Sequence, residues 1–105
     1  MNVYTIVHET YGYEDNEYGS IVEIFETLDS AKIYFEMMKS NIIREYIDYT
    51  EYQTLEEMMA DDNFYMDEEP TLDGNKYLYI DYDEYGHDRL RIYEKPVMKF
   101  NLEDC

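Results

Sequence analysis

Residues 27–49 read T-L-D-S-A-K-I-Y-F-E-M-M-K-S-N-I-I-R-E-Y-I-D-Y and contain neither Gly nor Pro. Leu28, Ala31, Phe35, Met38, Ile42 and Tyr46 recur at steps of three and four, which places them on one stripe of an α-helix. Thr27 stands before the pattern and Asp29 lies in its first turn, so Thr27 is the expected N-cap and Asp29 suits the positive end of the helix dipole. A helix of this length runs roughly 30 Å, enough to cover one face of a small sheet. Phe35, Met38 and Ile42 are expected to meet that sheet, with Glu36 and Lys39 in solvent. Ile33, Met37 and Ile43 lie off the stripe, so the apolar face is wide or has a second partner.

On either side of this helix the pattern changes to strands. Residues 2–9, N-V-Y-T-I-V-H-E, and 20–26, S-I-V-E-I-F-E, are β-branched and aromatic. The intervening residues 10–19 hold Gly, Asn and Asp and read as a long acidic, Tyr-rich hairpin tip. After the helix, Thr54-Leu-Glu-Glu57 has the form of a capping box, which predicts a short helix over 55–60. Residues 61–69 then read as an irregular acidic loop beside the helix. Asp73-Gly74 marks a turn. Residues 76–83 alternate Leu78, Ile80 and Tyr82 against Tyr77, Tyr79, Asp81 and Asp83. Beyond a turn at 84–87, residues 88–95 alternate Leu90 and Ile92 against Arg89, Arg91, Tyr93 and Lys95. The outer face of this second hairpin thus sets acids and tyrosines opposite bases, an arrangement able to neutralise many of the bases internally. Residues 97–102 read as a short edge strand or an extended tail. The expected architecture is one α+β domain over residues 1–105. It has two layers, a mostly antiparallel sheet of two hairpins packed on one long helix.

Composition narrows the function classes. The 105 residues hold 26 acids and 8 bases, a formal charge of −18, with fourteen tyrosines and no tryptophan. Such a chain is repelled by nucleic acid and by anionic lipid, both of which are bound through Lys and Arg. The first residues lack the basic and apolar regions of a signal peptide, and no run is long enough to span a membrane. A single cysteine, Cys105, leaves no internal disulfide and fits a cytoplasmic location. No cofactor and no metal are expected. Asp81-Tyr-Asp83-Glu-Tyr85-Gly86 begins like a calcium loop, but Tyr85 and Ile92 stand where ligands are required. His8, Glu9, His87 and Asp88 become candidate metal ligands only if the two hairpins meet, and their default reading is a strand end and a turn. No nucleophile motif or phosphate-cradling loop is present, so the chain is expected not to be an enzyme.

Carboxylates interleaved with tyrosines remain. Asp61, Asp62, Tyr65, Asp67, Glu68 and Glu69 form the densest cluster. Glu14, Asp15, Glu17 and Tyr18 form another in the first hairpin tip, and Asp81, Asp83 and Tyr85 a third in the second. Exposed tyrosines supply contact area at low entropic cost, and their rings accept Arg and Lys. A surface of fixed carboxylates and rings complements a groove lined with bases.

In this respect the chain resembles, as a class and not by a motif, the small acidic DNA-mimic proteins of phages and mobile elements, among them anti-restriction and anti-CRISPR inhibitors. That resemblance implies a non-enzymatic inhibitor that blocks the basic nucleic-acid-binding site of a host protein. The opening V-Y-T-I-V-H-E, followed by I-V-E-I-F-E-T and a helix, is also similar over residues 1–40 to a small β-β-α domain of phage and Gram-positive hypothetical proteins. An acidic adaptor or regulatory module for another protein is the alternative, followed by a small enzyme or cation-binding protein. Formation of a homodimer is left open.

Overall fold

The computed structural model describes residues 2–13, 16–70, 76–82 and 85–97. Strands β1 (Asn2–Gly12) and β2 (Glu17–Phe25) form the first hairpin. Helices α1 (Leu28–Thr50) and α2 (Leu55–Met59) follow, then strands β3 (Phe64–Pro70), β4 (Lys76–Tyr82) and β5 (Gly86–Pro96). All five strands join one antiparallel sheet in the order β2-β1-β5-β4-β3. The fold is therefore the expected two-layer α+β arrangement, with the first and last strands paired at its centre.

Alternation along the strands sorts the sheet into a covered and an open face. Ile6, Leu78, Ile80, Leu90 and Ile92 point to the covered face and are buried against Ala31, Phe35, Ile42 and Tyr46 of α1. The helical stripe is thus the one read from the sequence, except that Leu28 and Met38 are only half-buried. Thr27 caps α1 as expected, its Oγ1 accepting the Ser30 N–H at 3.2 Å. Thr54 caps α2 by accepting the Glu57 N–H. The returning Glu57 carboxylate takes the Gln53 N–H, one residue short of the usual capping-box partner.

Several expectations need correction. Residues 61–69 are not an irregular acidic loop, because residues from Phe64 onward form the edge strand β3. Phe64 and Met66 reach the core by pairing with Tyr82 and Ile80, and this burial outweighs the low strand propensity of Asp and Glu. Here the fifth strand is β3; the alternative, residues 97–102, falls almost wholly outside the described residues. The first hairpin tip is shorter than read, because β1 extends to Gly12 and β2 begins at Glu17. Nor are Glu36 and Lys39 simply solvated. Lys39 bonds to Glu68 and Lys76 to Glu36, tying α1 to β3 and β4. Burial opposes ionisation of Glu36, but the hydrogen bond from Lys76 outweighs it and lowers the carboxyl below its ordinary value. Gly86 is needed at the β5 start, where a Cβ would lie 2.1 Å from the Tyr11 carbonyl oxygen.

Candidate functional site

The acidic region is assembled from three successive elements. Between Glu45 and Glu69 the chain contains no Lys, Arg or His. Glu45, Asp48 and Glu51 occupy the end of α1, Glu56 and Glu57 lie on α2, and Asp61 and Asp62 lead into β3. α2 contacts both α1 and β3, so these acids lie on adjoining segments. The last turn of α1 carries no base, and Glu51 caps it in the left-handed conformation at φ 64°. Carboxylates at the negative end of a helix dipole oppose stability. Their accumulation there is what a charge-bearing surface requires and what a fold optimised for stability avoids.

Ten of the proposed contact residues lie among the described residues. Asp62, Tyr65 and Glu69 are exposed, and Asp67 is half-buried. Strand alternation puts Tyr65, Asp67 and Glu69 on the open face and sends Glu68 to the helix side, where it meets Lys39. Asp61 is a structural hub. Its Oδ2 accepts the Tyr52 hydroxyl at 3.0 Å and the Tyr82 hydroxyl at 3.1 Å, while its Oδ1 accepts the Asn63 N–H at 2.9 Å. That backbone bond is the main reason its carboxyl is held below the ordinary range, with the two tyrosines adding to it against desolvation. Asp81 accepts the Tyr13 hydroxyl at 2.9 Å and is half-buried. Tyr85 is half-buried, stacks on Tyr49 at 4.2 Å and meets Tyr46 edge-on. Glu17 and Tyr18 are exposed on β2, at the opposite sheet edge from β3. Glu14, Asp15 and Asp83 lie outside the described residues. So the structure leaves Asp62 exposed after α2 and puts Tyr65, Asp67 and Glu69 on the open face, away from α1 and α2. Glu17 and Tyr18 stand at the other sheet edge, where they line a cavity with Glu45 and Tyr49 of α1, and Asp61 and Glu68 are turned to structural work.

The hairpins do meet, through β1 and β5, but they do not make a metal centre. His8 and Asp88 point to the helix side, whereas Glu9 and His87 point to the open face. Among the described residues no group of three or more His, Cys, Asp or Glu could hold a metal ion. Asp88 instead forms a buried network. Its Oδ1 accepts the Thr10 hydroxyl at 2.8 Å and lies 2.7 Å from His8 Nε2; its Oδ2 accepts the Tyr46 hydroxyl at 2.7 Å. An ionised Asp88 assigns the Nε2 proton to His8 as donor, which leaves the buried Nδ1 without a partner. Burial raises the Asp88 carboxyl, but the bonds from His8, Tyr46 and Thr10 outweigh it and leave it below the ordinary value. Burial and the Asp88 charge push the Tyr46 hydroxyl far above the ordinary tyrosine value. Engaged on both oxygens, the Asp88 carboxylate ties β1 and β5 to α1 across the helix–sheet interface. Thr10, Tyr46 and Asp88 of this network also border a cavity of about 370 Å³, lined further by Glu17, Glu45, Tyr49 and Tyr85.

No family model, curated protein or solved structure matches the chain. Its surfaces are therefore the guide to function.

The open face is the second surface, and its bases are not neutralised as expected. Arg89 sits 5.5 Å from the Tyr79 ring centroid, and Arg91 sits 5.2 Å from those of Tyr77 and Tyr93. Among the described residues neither arginine forms an ion pair. The rings of β4 and β5 reach these guanidinium groups across the strands, and cation–π contact replaces charge pairing. A shallow depression of about 320 Å³ there is lined by Val7, Glu9, Glu69, Tyr77, Arg89, Arg91 and Tyr93. Alternation in residues 76–83 and 88–95 signals this face. The apolar run Ile21-Val22-Glu23-Ile24 of β2, exposed on both faces, is also visible in the sequence, but its edge position is not.

Proposed function

We propose that this chain is a non-enzymatic acidic inhibitor that binds a basic nucleic-acid-binding site of another protein in place of nucleic acid. The single observation that carries this reading is the run of acids over residues 45–69, from the end of α1 through α2 to β3, which contains no Lys, Arg or His and is built partly against the α1 dipole. Asp62, Tyr65, Asp67 and Glu69 are the residues assigned to the contact. Asp61 and Glu68 position the region from behind, through Tyr52, Tyr82 and Lys39.

The test is recovery of the partner from lysate, followed by competition with that partner's own DNA or RNA. Binding is expected to exclude nucleic acid and to weaken as salt rises, with the salt effect mainly on the association rate. Asp62→Lys combined with Asp67→Lys and Glu69→Lys is expected to abolish binding with the far-ultraviolet circular dichroism spectrum retained. Simultaneous binding of nucleic acid and this chain to one partner molecule sinks the mimic reading. The open face favours one alternative, an acidic adaptor, because Arg89, Arg91 and Lys95 interrupt the acids there. An adaptor contact on that face is lost on Arg91→Ala, a change that leaves a contact made through the carboxylates in place.

A further inference from the structure

We propose that β2 is a self-association edge, at which two copies of this chain pair antiparallel about a two-fold axis through Ile21 and join their sheets into one of ten strands. β2 is an outer strand of nine residues, so one row of its backbone N–H and C=O groups faces away from the sheet. Its side chains are left in water on both faces. Tyr18, Val22 and Ile24 are 64%, 55% and 67% exposed on the open face, and Ile21 is 51% exposed on the helix side. The other edge is treated differently. Asp67, Glu68 and Glu69 put charge along β3, which disfavours strand addition there.

The register identifies the occupant as a second copy. Antiparallel pairing on Ile21 sets Ser20 opposite Val22 of the other copy, Tyr18 opposite Ile24, Gly19 opposite Glu23 and Glu17 opposite Phe25. No carboxylate faces a carboxylate, and Ile21 meets itself. At Gly19 an added Cβ has nothing within 4 Å, so the carboxylate opposite has room. Two neighbouring registers are worse: pairing on Ser20 sets Glu17 against Glu23, and pairing on Glu23 sets it against itself. Like charges directly opposite destabilise a sheet.

Net charge does not prevent this association. With strands about 4.8 Å apart, the two β3 edges of a ten-stranded sheet lie about 43 Å from each other. That is several times the roughly 8 Å screening length at physiological salt. Among the described residues the edges then left are the charged β3 strands, so association closes at two copies.

Sedimentation velocity on the intact chain, at concentrations up to about 200 µM, tests the proposal. The expected result is a reversible dimer that tightens as salt rises, because screening weakens the repulsion between copies. Partner binding through the acidic region shifts with salt in the opposite sense, so failure of one reading is distinguishable from failure of the other. Ile21→Asp and Ile21→Lys each place like charges on the axis and are expected to be monomeric. Mixing the two variants is expected to restore a one-to-one dimer, which a merely unfolded variant does not do. Gly19→Lys, opposite Glu23, is expected to tighten the dimer at least about twofold more than Ser20→Lys, which adds the same charge opposite Val22. A wild-type chain that stays monomeric at every concentration and salt overturns the proposal. So does a mixture that stays monomeric while circular dichroism shows both variants folded. Loss of a partner protein on substitution of Ile21, with a monomeric wild type, assigns β2 to a partner's strand instead and equally overturns it.

Discussion

The covered and open faces of the sheet are made by the same strands, two residues at a time, yet different forces hold them. On the covered face Ile80, Leu90 and Ile92 lose all contact with water beneath Phe35 and Ile42. On the open face Tyr77, Tyr79, Arg89 and Arg91 meet through rings and guanidinium groups that water still reaches. Burial of apolar area scales with the surface removed from water, whereas a cation–π contact at an exposed site contributes only about 0.5–1 kcal/mol. The covered face therefore sets stability, and the open face and the acidic region are the surfaces with latitude to change.

This contrast can be broken by unfolding measurements. The largest loss is expected for Phe35→Ala, about 3–5 kcal/mol in urea denaturation, because a buried ring leaves a cavity beneath the sheet. Asp88→Ala comes next, at about 3 kcal/mol, because it orphans the Tyr46 and Thr10 hydroxyls and His8 Nε2 within the core. Arg91→Ala on the open face is expected to cost no more than about 1 kcal/mol. Lys39→Ala is the smallest, within about 0.2–1 kcal/mol, since its bond to Glu68 is only partly shielded. An Arg91→Ala loss equal to that of Phe35→Ala would show that the open face is a second core.

Acid sharpens the same comparison. The Asp88 and Asp61 carboxyls are lowered on folding, so they contribute stability above the ordinary carboxylate value of 3.8. That contribution is lost as pH falls below it towards the lowered values. Protonation of surface acids meanwhile relieves the repulsion of a chain at −18. The melting temperature is expected to rise on mild acidification from neutral pH, then fall below about pH 4. In Asp88→Asn the fall at low pH is expected to be shallower.

Much of this architecture is legible in the sequence alone. The helical stripe from Ala31 to Tyr46 and the alternation of Leu78 and Ile80 against Tyr77 and Tyr79 both follow from periodicity, which is local. What is not legible depends on neighbours distant in the chain. Phe64-Tyr-Met-Asp-Glu-Glu69 passes from apolar to acidic without alternating, and it becomes a strand because Met66 finds Ile80 and Glu68 finds Lys39. In sequence the acidic cluster reads as one surface, but the strand divides it between two faces. Thr10 and Tyr46 carry no local sign of a shared partner; the pairing of β1 with β5 supplies Asp88 to both. The edge position of β2 likewise exists only in the strand order.

The Tyr46 hydroxyl, buried against Asp88, also gives the protein a built-in optical gauge. Without tryptophan, the near-ultraviolet spectrum belongs to the fourteen tyrosines. A tyrosine whose value is raised on folding stabilises the fold fully below the ordinary value near 10, and that stabilisation drains away as pH climbs beyond it. Tyr79, Tyr82 and Tyr85 are also raised, chiefly by desolvation. In an alkaline titration followed by tyrosinate absorbance, Tyr46 is therefore expected to ionise only as the sheet opens. The midpoint of that step reads the integrity of the helix–sheet interface without any added dye.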